Sequence, residues 1–118
     1  MLGLMQDWPL TVDKILEHAG DWHGGREVVS RSVEGPIVRT TYGKIRDRAK
    51  RLSGALLAFG VQPGDRVATL AWNSGRHIEA WYAVMGIGAV CHTLNPRCSS
   101  TRSATSSTTP RIGSSSPT

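Results

Sequence analysis

The side chains in this sequence best suited to chemistry are four histidines, two cysteines and one short basic run. Cys91 and His92 are adjacent, with His77 upstream and Cys98 downstream. Together they are the nearest thing to a metal-ligand set. Their spacing, however, matches no Cys-x-x-Cys pattern, and free buried cysteine is a common packing residue. Acid–base or nucleophilic catalysis needs a nucleophile or carboxylate within reach of a base. His18, His23, His77 and His92 are scattered without such partners, and no Gly-x-Ser-x-Gly elbow is present. A phosphate cradle needs glycines that let backbone N–H groups converge at a helix N-terminus. Gly86-Ile87-Gly88 opens such a pattern, but Cys91 stands where a third Gly belongs, and these glycines follow a helix rather than a strand. Gly43-Lys44 lacks its upstream Gly, because Val38 is there. The residues themselves assign no catalytic, cofactor-binding or metal-binding role to any position.

The basic run is Lys44, Arg46, Arg48, Lys50 and Arg51, set against Asp47. It reads as the solvated face of one helix. Nucleic-acid recognition would call for basic residues spread over a surface, with aromatics or a known motif. A weak nucleic-acid binder using Lys44–Arg51 is one alternative function. A small interaction module with a flexible tail is another.

The elements that must position these residues are legible from spacing. Thr11 is a candidate cap, with Asp13 in the first turn. Val12, Ile15, Leu16 and Ala19 follow at helical spacing, and Gly20 is expected to stop that helix. Glu27–Arg31 and Pro36–Thr40 read as a hairpin around Glu34-Gly35. Thr41 then caps a longer helix. Its apolar positions Tyr42, Ile45, Ala49, Leu52, Leu56 and Phe59 fall on one stripe, with the basic residues opposite, and Gly60 ends it. Gly54, inside this helix, suggests close packing against another element. Pro63-Gly64 has the chemistry of a type II turn. Arg66–Trp72 reads as a strand. Ser74 is the cap candidate of a helix burying Ile78, Trp81, Tyr82 and Met85, and Gly86 and Gly88 end it. Ala89–Leu94 is a second strand. Strand–helix–strand in so short a span implies parallel strands. The fold class is therefore α/β, with one parallel strand–helix–strand unit whose open edges and uncovered face mark it as incomplete.

Composition divides the 118 residues. The chain is 39% hydrophobic with a net charge of +5, which allows one domain at most and excludes a complete multi-domain enzyme. Residues 1–97 have ordinary globular composition. Residues 98–118 hold eight Ser and five Thr, too few apolar groups to order themselves. No basic leader precedes an apolar stretch at the N-terminus. The longest apolar run, Ala80–Cys91, is short of the roughly 20 residues that span a bilayer. Two cysteines form no disulfide framework and fit a reducing compartment. A cytoplasmic protein without a membrane span is expected.

Several segments, in order, resemble a known family. Thr41-Tyr42-Gly43-Lys44-Ile45, Leu52-Ser53-Gly54-Ala55-Leu56 and Gly60-Val61 are similar to the N-terminal region of the adenylate-forming, AMP-binding enzymes. So are Pro63-Gly64-Asp65-Arg66-Val67-Ala68 and the stretch from Trp72-Asn73 through Trp81-Tyr82 to Gly86-Ile87-Gly88-Ala89-Val90. His92-Thr93-Leu94-Asn95-Pro96-Arg97 resembles the fatty-acyl-CoA ligase branch, including medium-chain, long-chain and methylmercaptopropionate-type ligases. The resemblance spans roughly Trp8–Arg97. It implies an acid–thiol ligase that joins a fatty acid or other carboxylic acid to AMP, releases pyrophosphate, and passes the acyl group to coenzyme A, with Mg²⁺ assisting. It further implies a large N-terminal domain, of which residues 1–97 are the opening part, and a small mobile C-terminal domain. The family's phosphate loop, its Tyr-Gly-x-Thr-Glu segment, its ribose-binding Asp and its C-terminal Lys all lie downstream. None has a counterpart here, so no site residue carries over. The fragment is expected to be inactive, to bind none of ATP, Mg²⁺ or coenzyme A, and to have no nucleic-acid partner.

The break at Arg97 has a simple genetic reading. Moving the frame by one base turns Ser codons into Phe, Leu, Ile or Val and Thr codons into Tyr, His, Asn or Asp. With suitable third bases, Cys98–Thr118 re-reads as LFFDEIGYIINHAEDRVVLTD. That string has helical apolar spacing followed by a strand, and it looks like the family's continuation. A frameshifted tail is therefore expected, against the alternative of a Ser/Thr-rich linker.

Overall fold

The computed structural model describes residues 7–32 and 34–97. Three helices and four strands follow one another: α1 (Asp13–His23), β1 (Glu27–Arg31), β2 (Ile37–Thr41), α2 (Tyr42–Ala58), β3 (Arg66–Leu70), α3 (Gly75–Gly86) and β4 (Val90–Leu94). The α/β class and every expected element are present. The tail, and with it the disorder expected for it, lies outside the described residues.

β1 and β2 pair antiparallel, with Glu27 opposite Thr41 and Arg31 opposite Ile37. The second strand sits one residue later than Pro36–Thr40, as suits Pro36, which has no N–H for a ladder. β3 and β4 pair parallel, from Arg66 beside Val90 to Leu70 beside Leu94. β3 ends at Leu70 rather than Trp72. The turn ahead of it is built as its residues dictate. Asp65 N–H donates to the Gln62 carbonyl (3.1 Å), Gly64 takes φ +89°, and the Asp65 carboxylate accepts from Gln62 N–H (2.8 Å).

Thr41 caps α2 as expected, its hydroxyl accepting from Lys44 N–H at 3.4 Å. α2 and α3 end in the same device. Gly60 and Gly88 adopt positive φ, each donating to the carbonyl three residues back, while Val61 and Ala89 donate five residues back. These paired bonds form Schellman motifs, which favour glycine at that position. α3 is capped differently from expectation. Ser74 holds the extended conformation of a cap, but its side chain makes no capping bond. The first N–H of the helix, from Gly75, instead donates to Ser30 Oγ of β1 at 2.9 Å.

The core is where the helices meet. Leu16 of α1, Ile45 and Ala49 of α2 and Ala83 of α3 form one buried cluster, against which Val28, Leu56 and Tyr82 pack. Ile45 is 1% exposed, a burial that contributes roughly 2 kcal/mol. Small residues let the helices close up. Ser53 Oγ donates to the Ala83 carbonyl at 2.9 Å, tying α2 to α3.

Five expectations about capping and packing are corrected. Gly20 does not end α1, which runs on to His23. A Cβ at Gly20 would lie 2.7 Å from Arg46 Cδ, so this glycine makes room for an arginine of α2. Thr11 makes no side-chain cap to α1. Gly54 has no neighbour within 4 Å of a Cβ position, so close packing is not its role. The buried face of α3 consists of Glu79, Ala83 and Val84, while Ile78 and Trp81 face outward. Along α2, only Ile45, Ala49 and Leu56 of the stripe reach the core: Phe59 is 87% exposed, and Tyr42 and Leu52 are exposed too.

Candidate functional site

Parallel α/β sheets place ligands beyond the carboxyl ends of their strands. At that end of β3 and β4, two adjoining clefts open, of about 540 and 570 Å³. They share Asn73, His77 and Thr93. The first is walled on one side by β1 and on the other by Ile78 and Trp81 of α3. The second runs from Trp72 to the Asn95-Pro96-Arg97 turn. Asn95 Oδ1 accepts from Arg97 N–H at 2.9 Å, and the Arg97 guanidinium lies 5.3 Å over the Trp72 ring.

The sheet register sorts the strand residues. Val67 and Thr69 of β3 lie beside Cys91 and Thr93 of β4. Thr69 Oγ1 is 3.1 Å from His77 Nε2 and 3.9 Å from Cys91 Sγ. The structure thus brings His77 and Cys91 to one hydroxyl, a grouping not anticipated from spacing. The signal that could have found it is the pairing of Thr69 with Thr93, two positions from Cys91 and so on the same face of β4, next to the first turn of α3. His92 sits in the same strand but one residue out of phase, and Cys98 lies outside the described residues. No group of three or more His, Cys, Asp or Glu side chains suited to a metal occurs among the described residues. His77 and Cys91 form no ion pair there either. His77 alone of the three lines the clefts, and its contact with Thr69 ties α3 to the sheet.

The glycines considered as phosphate cradles are placed elsewhere. Gly88 lies at the C-terminal end of α3, where carbonyls rather than N–H groups are exposed. Gly43 packs at the α1–α2 junction, donating to the Gly24 carbonyl at 3.0 Å. His18 and His23 are on α1, where the ring of His18 lies near those of Trp22 and His23.

The basic side chains of α2 are not a free solvated face. Arg46 pairs with Asp21 of α1 and approaches Asp47 at 3.8 Å. Arg48 meets the buried Glu79 of α3 at 3.0 Å, and Lys50 meets Glu17 of α1 at 3.0 Å. Three of the five cations therefore tie α2 to its neighbours.

The chain is 47% identical over 97 residues to a 3-methylmercaptopropionyl-CoA ligase of Ruegeria lacuscaerulensis, covering 82% of this chain and 18% of that protein. It is 53% identical over 95 residues to a long-chain-fatty-acid–CoA ligase of Thermus thermophilus, again 18% of the relative. Among solved structures, the N-terminal domain of FACL13 from Mycobacterium tuberculosis superposes with TM-score 0.68 at 25% identity, over 83% of this chain and 24% of that one. A fatty acyl CoA synthetase of the same organism superposes with TM-score 0.62 at 29% identity, covering 75% of this chain and 17% of that one. The chain thus spans about a fifth of the length of the curated relatives it matches. The family described as AMP-binding enzyme matches residues 16–107. With the expected motifs, the fold and the relatives in agreement, the chain belongs to the AMP-binding enzyme family.

Proposed function

We propose that these residues form the opening portion of an ATP-dependent acyl-CoA ligase acting on a fatty acid or related carboxylic acid. The observation that carries this reading is the 47% identity, sustained over 97 residues, to a 3-methylmercaptopropionyl-CoA ligase. The whole enzyme would couple ATP cleavage to acyl-AMP formation and then to transfer onto coenzyme A, with Mg²⁺ on the phosphates. The described residues do not fit the metal: no cluster of carboxylates or imidazoles is available for it. They offer no phosphate cradle either. The role of this portion is structural. It supplies the helical core and the β3–β4 strands at whose carboxyl ends the two clefts open.

By this reading the 118 residues on their own do not turn over, and residues 98–118 are read out of frame. The genomic sequence around codon 97 tests the second point: an acyl-ligase frame should continue there, phosphate loop included. A location in the cytoplasm belongs to the same proposal, and no helix among the described residues is long and apolar enough to cross a membrane. The pairing of Arg46, Arg48 and Lys50 with carboxylates favours a ligase part with no nucleic-acid partner over a binder using the Lys44–Arg51 face. Two assays test the function. ATP–pyrophosphate exchange with fatty acids should be absent from the 118-residue chain. Residues 1–97, grafted over the matched segment of the Thermus thermophilus ligase, should support acyl-CoA synthesis.

A further inference from the structure

The two adjoining clefts differ in chemistry along their length. Arg31, at the end of β1, lines the first, Arg97 lines the second, and His77 borders both. No Asp or Glu lines either one. Among the described residues neither arginine is in an ion pair, whereas Arg39, Arg46 and Arg48 each are. Arg97 is held in place by other means. Its guanidinium lies over the Trp72 ring, and its N–H donates to Asn95 Oδ1 across the turn. A guanidinium seated on an aromatic face keeps its planar edge free, and that edge matches a carboxylate with two parallel N–H donors. Arg31 has no aromatic seat of this kind among the described residues. The first cleft is walled by Val28, Val29, Ile78 and Trp81. Val29 is 54% exposed and Trp81 43%, so this wall is apolar surface without cover. Ligand sites have this size and make-up: mostly apolar walls with a few fixed polar groups.

We infer that the joined clefts bind an aliphatic carboxylic acid, its carboxylate on Arg97 and its chain along the wall made by Val28, Val29, Ile78 and Trp81. A seated cation at one end and bare apolar surface at the other select an amphipathic anion. Asn73, His77 and Thr93 border both clefts, so a chain of several carbons can pass from one to the other. The choice of a carboxylate over a phosphate ester rests on the ligase reading above.

The test titrates sodium octanoate into the 118-residue chain and follows it by ¹⁵N NMR. The chain has four tryptophans, whose indole N–H signals are assigned from single phenylalanine variants. Trp72 and Trp81 line the clefts, while Trp8 and Trp22 line neither. Octanoate should shift the first pair saturably, with Kd about 1 mM, and leave the second pair in place. Affinity should rise about two- to fourfold per methylene from butyrate to octanoate. 1-Octanol, which has the chain without the charge, should bind about fivefold more weakly than octanoate. Arg97→Gln should weaken octanoate about fivefold and leave octanol unchanged, and Arg31→Gln should change octanoate by less than about twofold. Octanoate that shifts no indole signal, or shifts all four alike, overturns the inference. So does octanol that binds as tightly as octanoate, an Arg97→Gln chain that binds octanoate like the parent, or an Arg31→Gln chain that alone loses it. Inorganic phosphate acting on Trp72 and Trp81 at lower concentration than octanoate overturns it as well, and so does a chain whose spectrum lacks the dispersion of a fold. Acyl-CoA synthesis by the graft of residues 1–97 is scored apart. An active graft with no octanoate shift in the 118-residue chain sinks the binding site and leaves the ligase reading standing. A localised shift with a folded but inactive graft does the reverse.

Discussion

Two glycines in helix interiors should respond oppositely to alanine, and the structure gives the reason. Gly54 lies in α2 with open space around it, so Gly54→Ala gains only helix propensity, about 0.8–1 kcal/mol. In a domain of this size that raises Tm by roughly 4–8 °C. Gly20 lies in α1 and gains the same propensity. A Cβ there, however, would sit 2.7 Å from Arg46 Cδ and 2.8 Å from its Nε and Nη1. Ordinary contacts between heavy atoms lie near 3.5–4.0 Å, so the guanidinium must move by about 1 Å. That displaces it from Asp21, whose side chain is 65% exposed, so the lost ion pair accounts for at most about 1 kcal/mol. Crowding a half-buried arginine adds roughly 1–3 kcal/mol. Gly20→Ala should therefore be neutral to destabilising by about 3 kcal/mol. Urea denaturation of the 118-residue chain, followed by far-UV circular dichroism, reads both. Removing the obstacle reverses the sign: in an Arg46→Ala background, Gly20→Ala should stabilise about as much as Gly54→Ala. If Gly20→Ala stabilises the unmodified chain as much as Gly54→Ala does, Arg46 does not occupy that space and the α1–α2 contact is misread.

Other substitutions probe the rest of the scaffold. Ile45→Ala, at the most buried large side chain of the core, should cost about 2–5 kcal/mol in the same denaturation. Gly88→Ala forces a Cβ onto a residue at φ +76° and should cost about 1–2 kcal/mol, whereas Gly25→Ala, with open space around it, should be close to neutral. Arg48→Ala strips the buried Glu79 of its partner and should destabilise clearly more than Arg39→Ala, which breaks an exposed pair with Glu27 worth at most about 1 kcal/mol. Adding Glu79→Gln to Arg48→Ala should recover part of that loss, because no buried charge is then left alone.

Local punctuation in this fold is legible from residue types. Thr41 as cap, Gly60 and Gly88 at helix ends, and Pro63-Gly64 in its turn are placed by backbone chemistry that operates within a few residues. The strand pair and its parallel sense follow from the length of the β3–α3–β4 connection. Packing is less legible. Gly20 looked like a stop because the partner that needs its missing side chain, Arg46, is far away in sequence. Ile78 and Trp81 looked buried because they are large. The position α3 presents to α2 must be small enough for close approach, which favours Ala83. Glu79 could be buried only because Arg48 reaches it from another helix. The candidate clefts were not legible at all. Thr69, His77 and Cys91 come from three elements, and their meeting depends on strand register.

The graft tests the central claim most directly. Residues 1–97, placed covalently over the matched segment of the Thermus thermophilus ligase, are assayed for acyl-CoA formation from ATP, coenzyme A and a long-chain fatty acid. If these residues are a working part of an acyl-CoA ligase, the folded graft should form acyl-CoA at a rate within about tenfold of the parent, a barrier change near 1.4 kcal/mol. A graft that folds, binds ATP and fatty acid, and yet forms no acyl-CoA would contradict the account.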